Sequence, residues 1–233
     1  MMVGNFIQFG SKQIDFHLSY SDRKSLGITI TPDMDVWVKA PMDATIEKIK
    51  TKVKLRAAWI IKQQGFFLSF HPKTPVRKYV GGETHLYLGR QYQLRVTLAA
   101  KNEVRYKGRE IEVATKDKKN VQELLRQWYR DKAKEKFAAI AEPLIDRFKK
   151  YNVAPKELMI QEMPTRWGSC TAKGKIILNP ELIKAPKHCI EYVIIHELCH
   201  LVHRDHTQKF IALQTKEMPD WEKWKGKLEM LLA

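Results

Sequence analysis

His196, Glu197 and His200 fall within five consecutive positions, and a further histidine follows at His206. Two histidines four apart on a helix project from one face, so both imidazoles can reach a single metal ion. The glutamate between them is not needed as a ligand. It lies beside the ion's open coordination position, where it can take a proton from a water molecule held there. These residue types at this spacing point to metal-assisted hydrolysis.

That chemistry requires a helix. Ile190, Val193, Ile194, Leu198, Leu201 and Val202 recur at helical spacing, which predicts a buried helix running through the motif. Pro186 suits its first turn, where a missing N–H costs nothing. The competing reading is an amphipathic helix whose histidines only hydrogen-bond in the core. Two imidazoles and a carboxylate are costly to bury without a partner, and a metal supplies one. The arrangement His-Glu-x-x-His is the one used by zinc metallopeptidases.

A catalytic zinc takes three protein ligands and keeps a fourth position for water. His203 and His206 are the nearby candidates. On a continuing helix His203 lies about 10 Å beyond His196, too far to converge easily with both earlier rings. His206 can bind only if the chain turns back, and Arg204-Asp205 is a suitable place for that turn. His200 and His206 have the separation found in the metzincin signature, although His203 stands where that signature has glycine. Spacing favours His206. The metal itself is inferred, since three imidazoles also suit other divalent transition ions.

The chain resembles the YgjP-like metal-dependent hydrolases, relatives of the WLM and SprT-like metallopeptidases. The resemblance is carried by Arg166-Trp167-Gly168-Ser169-Cys170, Ile176-Ile177-Leu178-Asn179-Pro180, Ala185-Pro186 and the run Tyr192 to Leu201. It continues through His206 to Phe210, and Tyr87-Leu88-Gly89-Arg90 with Tyr92 looks like the family's hairpin. It implies a zinc-dependent hydrolase with ligands at His196, His200 and His206 and a general base at Glu197. It leaves the substrate open.

Composition agrees with a folded enzyme. The 233 residues are 44% hydrophobic, enough for one large or two small domains. No apolar stretch is long enough to span a bilayer, and residues 1–16 lack a basic start followed by an apolar run. Cys170, Cys189 and Cys199 are an odd number without paired spacing, which fits a reducing, cytoplasmic setting. Cys199 reads as a small buried residue. The net charge of +16 gathers in Lys48, Lys50, Lys52, Lys54 and Arg56, and again along the helix after Asn120. It predicts either solvated helix faces or nonspecific attraction to nucleic acid. No recognition module stands out.

The elements that must position the site read as an α+β fold. Gln13 to Tyr20, Gly27 to Thr31 and Val36 to Lys39 alternate as strands, with Pro32-Asp33 as a turn. Asp43 should cap one helix from Ala44 to about Gln64, and His71 to Pro75 reads as a proline-broken connector. Val80 to Leu98 reads as a hairpin, with Gly89-Arg90 at its turn, and Val104 to Ala114 as a second strand pair turning at Lys107-Gly108. A helix from about Asn120 to Glu142 should kink or stop at Pro143. Leu158 to Met163 and Lys175 to Leu178 look like strands, and Lys209 to Ala233 like two helices broken at Pro219. The division falls near residue 118. Residues 1–118 form a β-rich N-terminal region with one long helix. Residues 119–233 form a helical, zincin-like catalytic region with a small sheet.

Three function classes follow. The first is a zinc metallopeptidase acting on peptides or proteins, aligned by strand addition to an edge strand such as Lys175 to Leu178. The second is a zinc-dependent pyrophosphatase that attacks a nucleotide phosphoanhydride. The third is a non-catalytic zinc-containing nucleic-acid-associated protein, against which the base at Glu197 argues. Arg166 could bind a substrate oxygen or belong to a structural turn with Trp167 packed and Gly168 shaping the backbone. Tyr192, His17, His71, His85 and His188 read as packing or surface residues.

Overall fold

In a computed structural model, residues 5–10, 12–31, 34–68, 77–163 and 166–232 are described. The Pro32-Asp33 turn and the 71–75 connector lie outside these residues. The chain forms two compact units, Met1–Thr74 and Pro75–Leu232. Residue 118 therefore lies inside the second unit, between its first sheet and its long helix.

The first unit contains strands β1 (Asn5–Phe9), β2 (Lys12–Ser21), β3 (Gly27–Ile30) and β4 (Val36–Pro41). Their order is β1-β2-β4-β3, with β2 and β4 parallel. Alternation turns Ile14, Phe16, Val36, Val38 and Ala40 inward. They pack with Ile49, Val53, Ala57 and Ile60 from two helices, α1 (Ile46–Leu55) and α2 (Ala57–Leu68). The expected single helix is thus two. The chain breaks at Arg56, and the cap is Thr45 rather than Asp43, its side chain accepting from Lys48 N–H.

The second unit repeats the strand order as β5 (Thr84–Tyr87), β6 (Arg90–Leu98), β7 (Glu103–Lys107) and β8 (Glu110–Thr115), arranged β5-β6-β8-β7 with β6 and β8 parallel. Leu94, Ile111 and Val113 share a core with Val121, Leu125, Trp128 and Tyr129 of α3 (Val121–Phe148). This helix runs through Pro143 without ending. Proline removes one backbone donor, but Ile140, Ala141, Leu144 and Phe148 around it are buried, and their packing holds the helix together.

A second sheet has the order β10-β11-β9, from β9 (Glu157–Ile160), β10 (Gly168–Cys170) and β11 (Lys175–Leu178). Lys175 to Leu178, expected as an edge strand, is the central one, parallel to β9 and antiparallel to β10. Its backbone is already paired on both sides, so it cannot receive a further strand. Three helices follow: α4 (Lys187–Val202), α5 (Gln208–Glu217) and α6 (Trp221–Leu232). No helix among the described residues is long and apolar enough to cross a membrane.

The β5–β6 turn seats the start of α4. Leu88 N–H and Gly89 N–H donate to the carbonyls of Ile183 and Lys184. Gly89 has φ +76°, and a Cβ there would lie 2.6 Å from Pro186 Cγ. Only glycine meets both demands without strain. The Tyr129 hydroxyl donates to Leu86 O at 2.8 Å and ties the same hairpin to α3.

Candidate metal centre

The site is assembled on α4. Its interior face buries Ile190, Ile194, Leu198 and Cys199, while the stripe carrying His196 and His200 faces a cleft. The helix ends at His203, whose backbone is extended at φ −129° and ψ 111°. The chain then bends at Arg204 and Asp205, and Thr207 N–H donates to Asp205 O at 2.7 Å. This bend returns His206 to the other two rings. The ligand atoms of His196, His200 and His206 lie within 4.8 Å of one another. His203 is not in this group. It offers its backbone carbonyl to His200 Nδ1 at 3.3 Å.

The protonation pattern suits a cation. His196 Nδ1 stands 2.8 Å from Gln214 Oε1, an oxygen that only accepts, so Nδ1 carries the proton and Nε2 keeps its lone pair. The His203 carbonyl selects the same tautomer in His200. Burial, with the neighbouring imidazoles, pushes the His196 pKa down to about 4, and burial also lowers that of His200. Both rings are therefore neutral, the form that binds metal. His196 Nε2 and His206 Nε2 approach to 3.0 Å, a contact that needs a shared proton or a cation. Nitrogens bound tetrahedrally to one zinc stand roughly 3.3–3.4 Å apart, so small rotations accommodate it. Phe210, fully buried, packs against all three rings at centroid distances of 4.7–5.1 Å. The donor set fits a divalent metal.

Glu197 is 5% exposed. Burial pushes its carboxyl up to about 7, although the Cys170 N–H and the Arg166 charge oppose the rise. That N–H belongs to β10, so a strand, rather than the turn that is one of two readings of this segment, aims the carboxylate. Gly168 makes this approach possible. A Cβ there would sit 2.7 Å from Glu197 Oε1 and 2.8 Å from Val193 Cγ1. Its φ is not positive, so close approach rather than backbone shape requires glycine.

The segment leading into β10 is pinned by Asn179, 5% exposed. Its Nδ2 donates to the carbonyls of Met163 and Arg166, its Oδ1 accepts from Glu181 N–H, and its own N–H donates to Trp167 O. The cleft has a volume of about 660 Å³. The segment from Arg166 to Ala172 forms one wall, α4 the floor, and Arg204 with His206 the far side. Tyr192 lines it too but is largely buried, its ring stacked on Trp221.

Of the other histidines, His17 stacks on Trp37, His85 is buried against Glu83 and His188 bonds Glu191. His71 lies outside the described residues. Gln214, Phe210 and Asn179 carry roles that motif reading did not assign. The available signal was polarity out of place. Gln214 and Glu217 share the buried stripe of α5 with Phe210 and Leu213.

The family model described as YgjP-like, metallopeptidase domain matches residues 24–230. Among curated proteins, none matches the chain.

Proposed function

The chain belongs to the YgjP-like metallopeptidase-domain family, and from that premise we propose that it is a zinc-dependent peptidase with His196, His200 and His206 as metal ligands and Glu197 as general base. The observation that carries this reading is a buried carboxyl beside three converging imidazoles at the foot of an open cleft. A structural metal site has no use for such a group. When bound, zinc polarises the substrate carbonyl and acidifies a water molecule at its open position.

The chain's own residues do the rest. Glu197 takes the water's proton and delivers it to the departing amine. Burial, which raises its pKa, favours its holding the proton between the two transfers. The Cys170 N–H holds its orientation, while Gln214 and the His203 carbonyl keep the Nε2 lone pairs of His196 and His200 turned inward. An extended peptide lies along β10, the edge strand that lines the cleft. The free thiols of Cys170, Cys189 and Cys199 suit a cytoplasmic protein.

Glu197→Gln tests the assignment. It should keep zinc binding and lower hydrolysis of an unfolded protein substrate by roughly 10²–10⁴-fold. Turnover comparable to wild type would remove Glu197 from the chemistry.

A further inference from the structure

The cleft has charged residues at both ends. Gly168 lies against Val193 and Glu197, and Gly174 approaches Leu201, so the wall from 168 to 174 runs alongside α4 in the same direction. Arg166 precedes this wall at the Val193 end, and Arg204 lies in the bend that follows the helix at the Leu201 end. Both side chains line the cleft from exposed positions. Neither forms an ion pair among the described residues, in contrast to Arg95, Arg105, Arg126 and Arg147. Among the described residues Glu197 is the only carboxylate in the lining, and it is held by the Cys170 N–H.

We infer that the cleft selects peptides bearing acidic residues on both sides of the scissile bond, with Arg166 and Arg204 as the specificity-determining residues. The inference rests on the peptidase reading above. Val193 and Leu201 are eight residues apart on α4, about 12 Å along its axis. An extended chain covers that distance in roughly four residues. His196 and His200 lie between the two ends and the arginines beyond them, so each arginine meets a side chain roughly two or three positions from the bond cut. A guanidinium accepts a carboxylate through paired N–H donors. Both arginines are exposed at the mouth of an open cleft, so their attraction for a carboxylate is screened by salt. A lysine on the substrate would meet like charge at either end.

The test uses the full chain, zinc-loaded and carrying Glu197→Gln, with fluorescent peptides that differ only in Glu, Gln or Lys at those two positions. Binding is read by anisotropy, and cleavage of the same peptides by the unmodified protein in parallel. The Glu peptide should bind at least about tenfold more tightly than the Gln peptide, and the gain should shrink with added salt. Arg166→Gln should remove the preference on one side of the bond and Arg204→Gln on the other. Arg204→Glu should transfer the preference on its side to Lys. Zinc content and thermal melting identify any variant that misfolds, and the remaining arginine then carries the test.

Equal binding of all three peptides overturns the inference. If the unmodified protein still cleaves them, the peptidase reading stands without it. Acidic preference in binding with no cleavage supports the arginine assignment and sinks the peptidase reading instead. Competition for the cleft by a nucleoside triphosphate, with no preference among peptides, overturns the inference in favour of a phosphate ligand.

Discussion

At the scale of single residues, the site is a set of polar groups held in unusual protonation states by burial. Glu197 shows it most clearly. Its pKa is raised from 4.5 to about 7 by burial, so the folded chain prefers the neutral acid while the unfolded chain ionises at its ordinary value. A raised pKa contributes stability that is present below pH 4.5 and is lost as pH rises through 7. In metal-free protein that loss is up to roughly 3 kcal/mol, and Glu197→Gln should abolish it. The measurement is the difference in unfolding free energy between the two proteins across this range, without metal. A difference that does not change with pH would contradict the assignment. His196, depressed to about 4, titrates in both proteins and cancels in the comparison.

At the scale of elements, α4 supplies three groups of the site and its neighbours aim them. β10 contributes the Cys170 N–H, α5 contributes Phe210 and Gln214, and the β5–β6 turn sets the start of α4. The contact that bears directly on the base is at Gly168. Gly168→Ala must push β10 or α4 aside, because the new Cβ meets Glu197 and Val193 below 3 Å. The expected cost is about 1–3 kcal/mol of stability. Activity should fall by more than the fraction unfolded accounts for, since the base loses its orientation. Thermal melting together with turnover checks this. A variant with unchanged melting and turnover would show that the contact relaxes freely.

At the scale of the whole molecule, the charge of +16 is unevenly neutralised. Along α3, Arg126 pairs with Glu162, and Lys132 and Lys136 pair with Glu135. Lys48, Lys52, Lys54 and Arg56 of the first unit are exposed and form no ion pair among the described residues. If the charge attracts nucleic acid, that helix is the better candidate surface. Binding should be indifferent to sequence and should weaken steeply with salt. Replacing these four residues by Gln should lower it while zinc content and peptide hydrolysis stay unchanged. Titration of labelled single- and double-stranded DNA at two salt concentrations measures it. Salt-insensitive or sequence-selective binding would contradict the charge argument.

Much of this molecule was legible before its structure. His196 and His200 are four positions apart, and helical periodicity alone places them on one face with Glu197 beside them. The bend at Arg204 and Asp205 that returns His206 could be read from spacing. So could the hairpins and the apolar stripe of α4, because each depends on residues near one another in the chain. Local rules failed where packing outweighed them. Pro143 stays inside α3 because its neighbours are buried, and the 44–64 helix divides at Arg56 although its periodicity is continuous. β11 proved to be central because its partners, β9 and β10, come from both sides. The partners that tune the site lay beyond any local pattern. Gln214 reaches His196 from 18 positions away, Asn179 pins a segment 13 to 16 positions earlier, and Cys170 meets Glu197 from another element. Sequence specified which groups could do the chemistry, since that is a matter of residue type and helical repeat. Only the tertiary structure decided which backbone and side-chain groups orient them, because those contacts exist only once distant segments have packed.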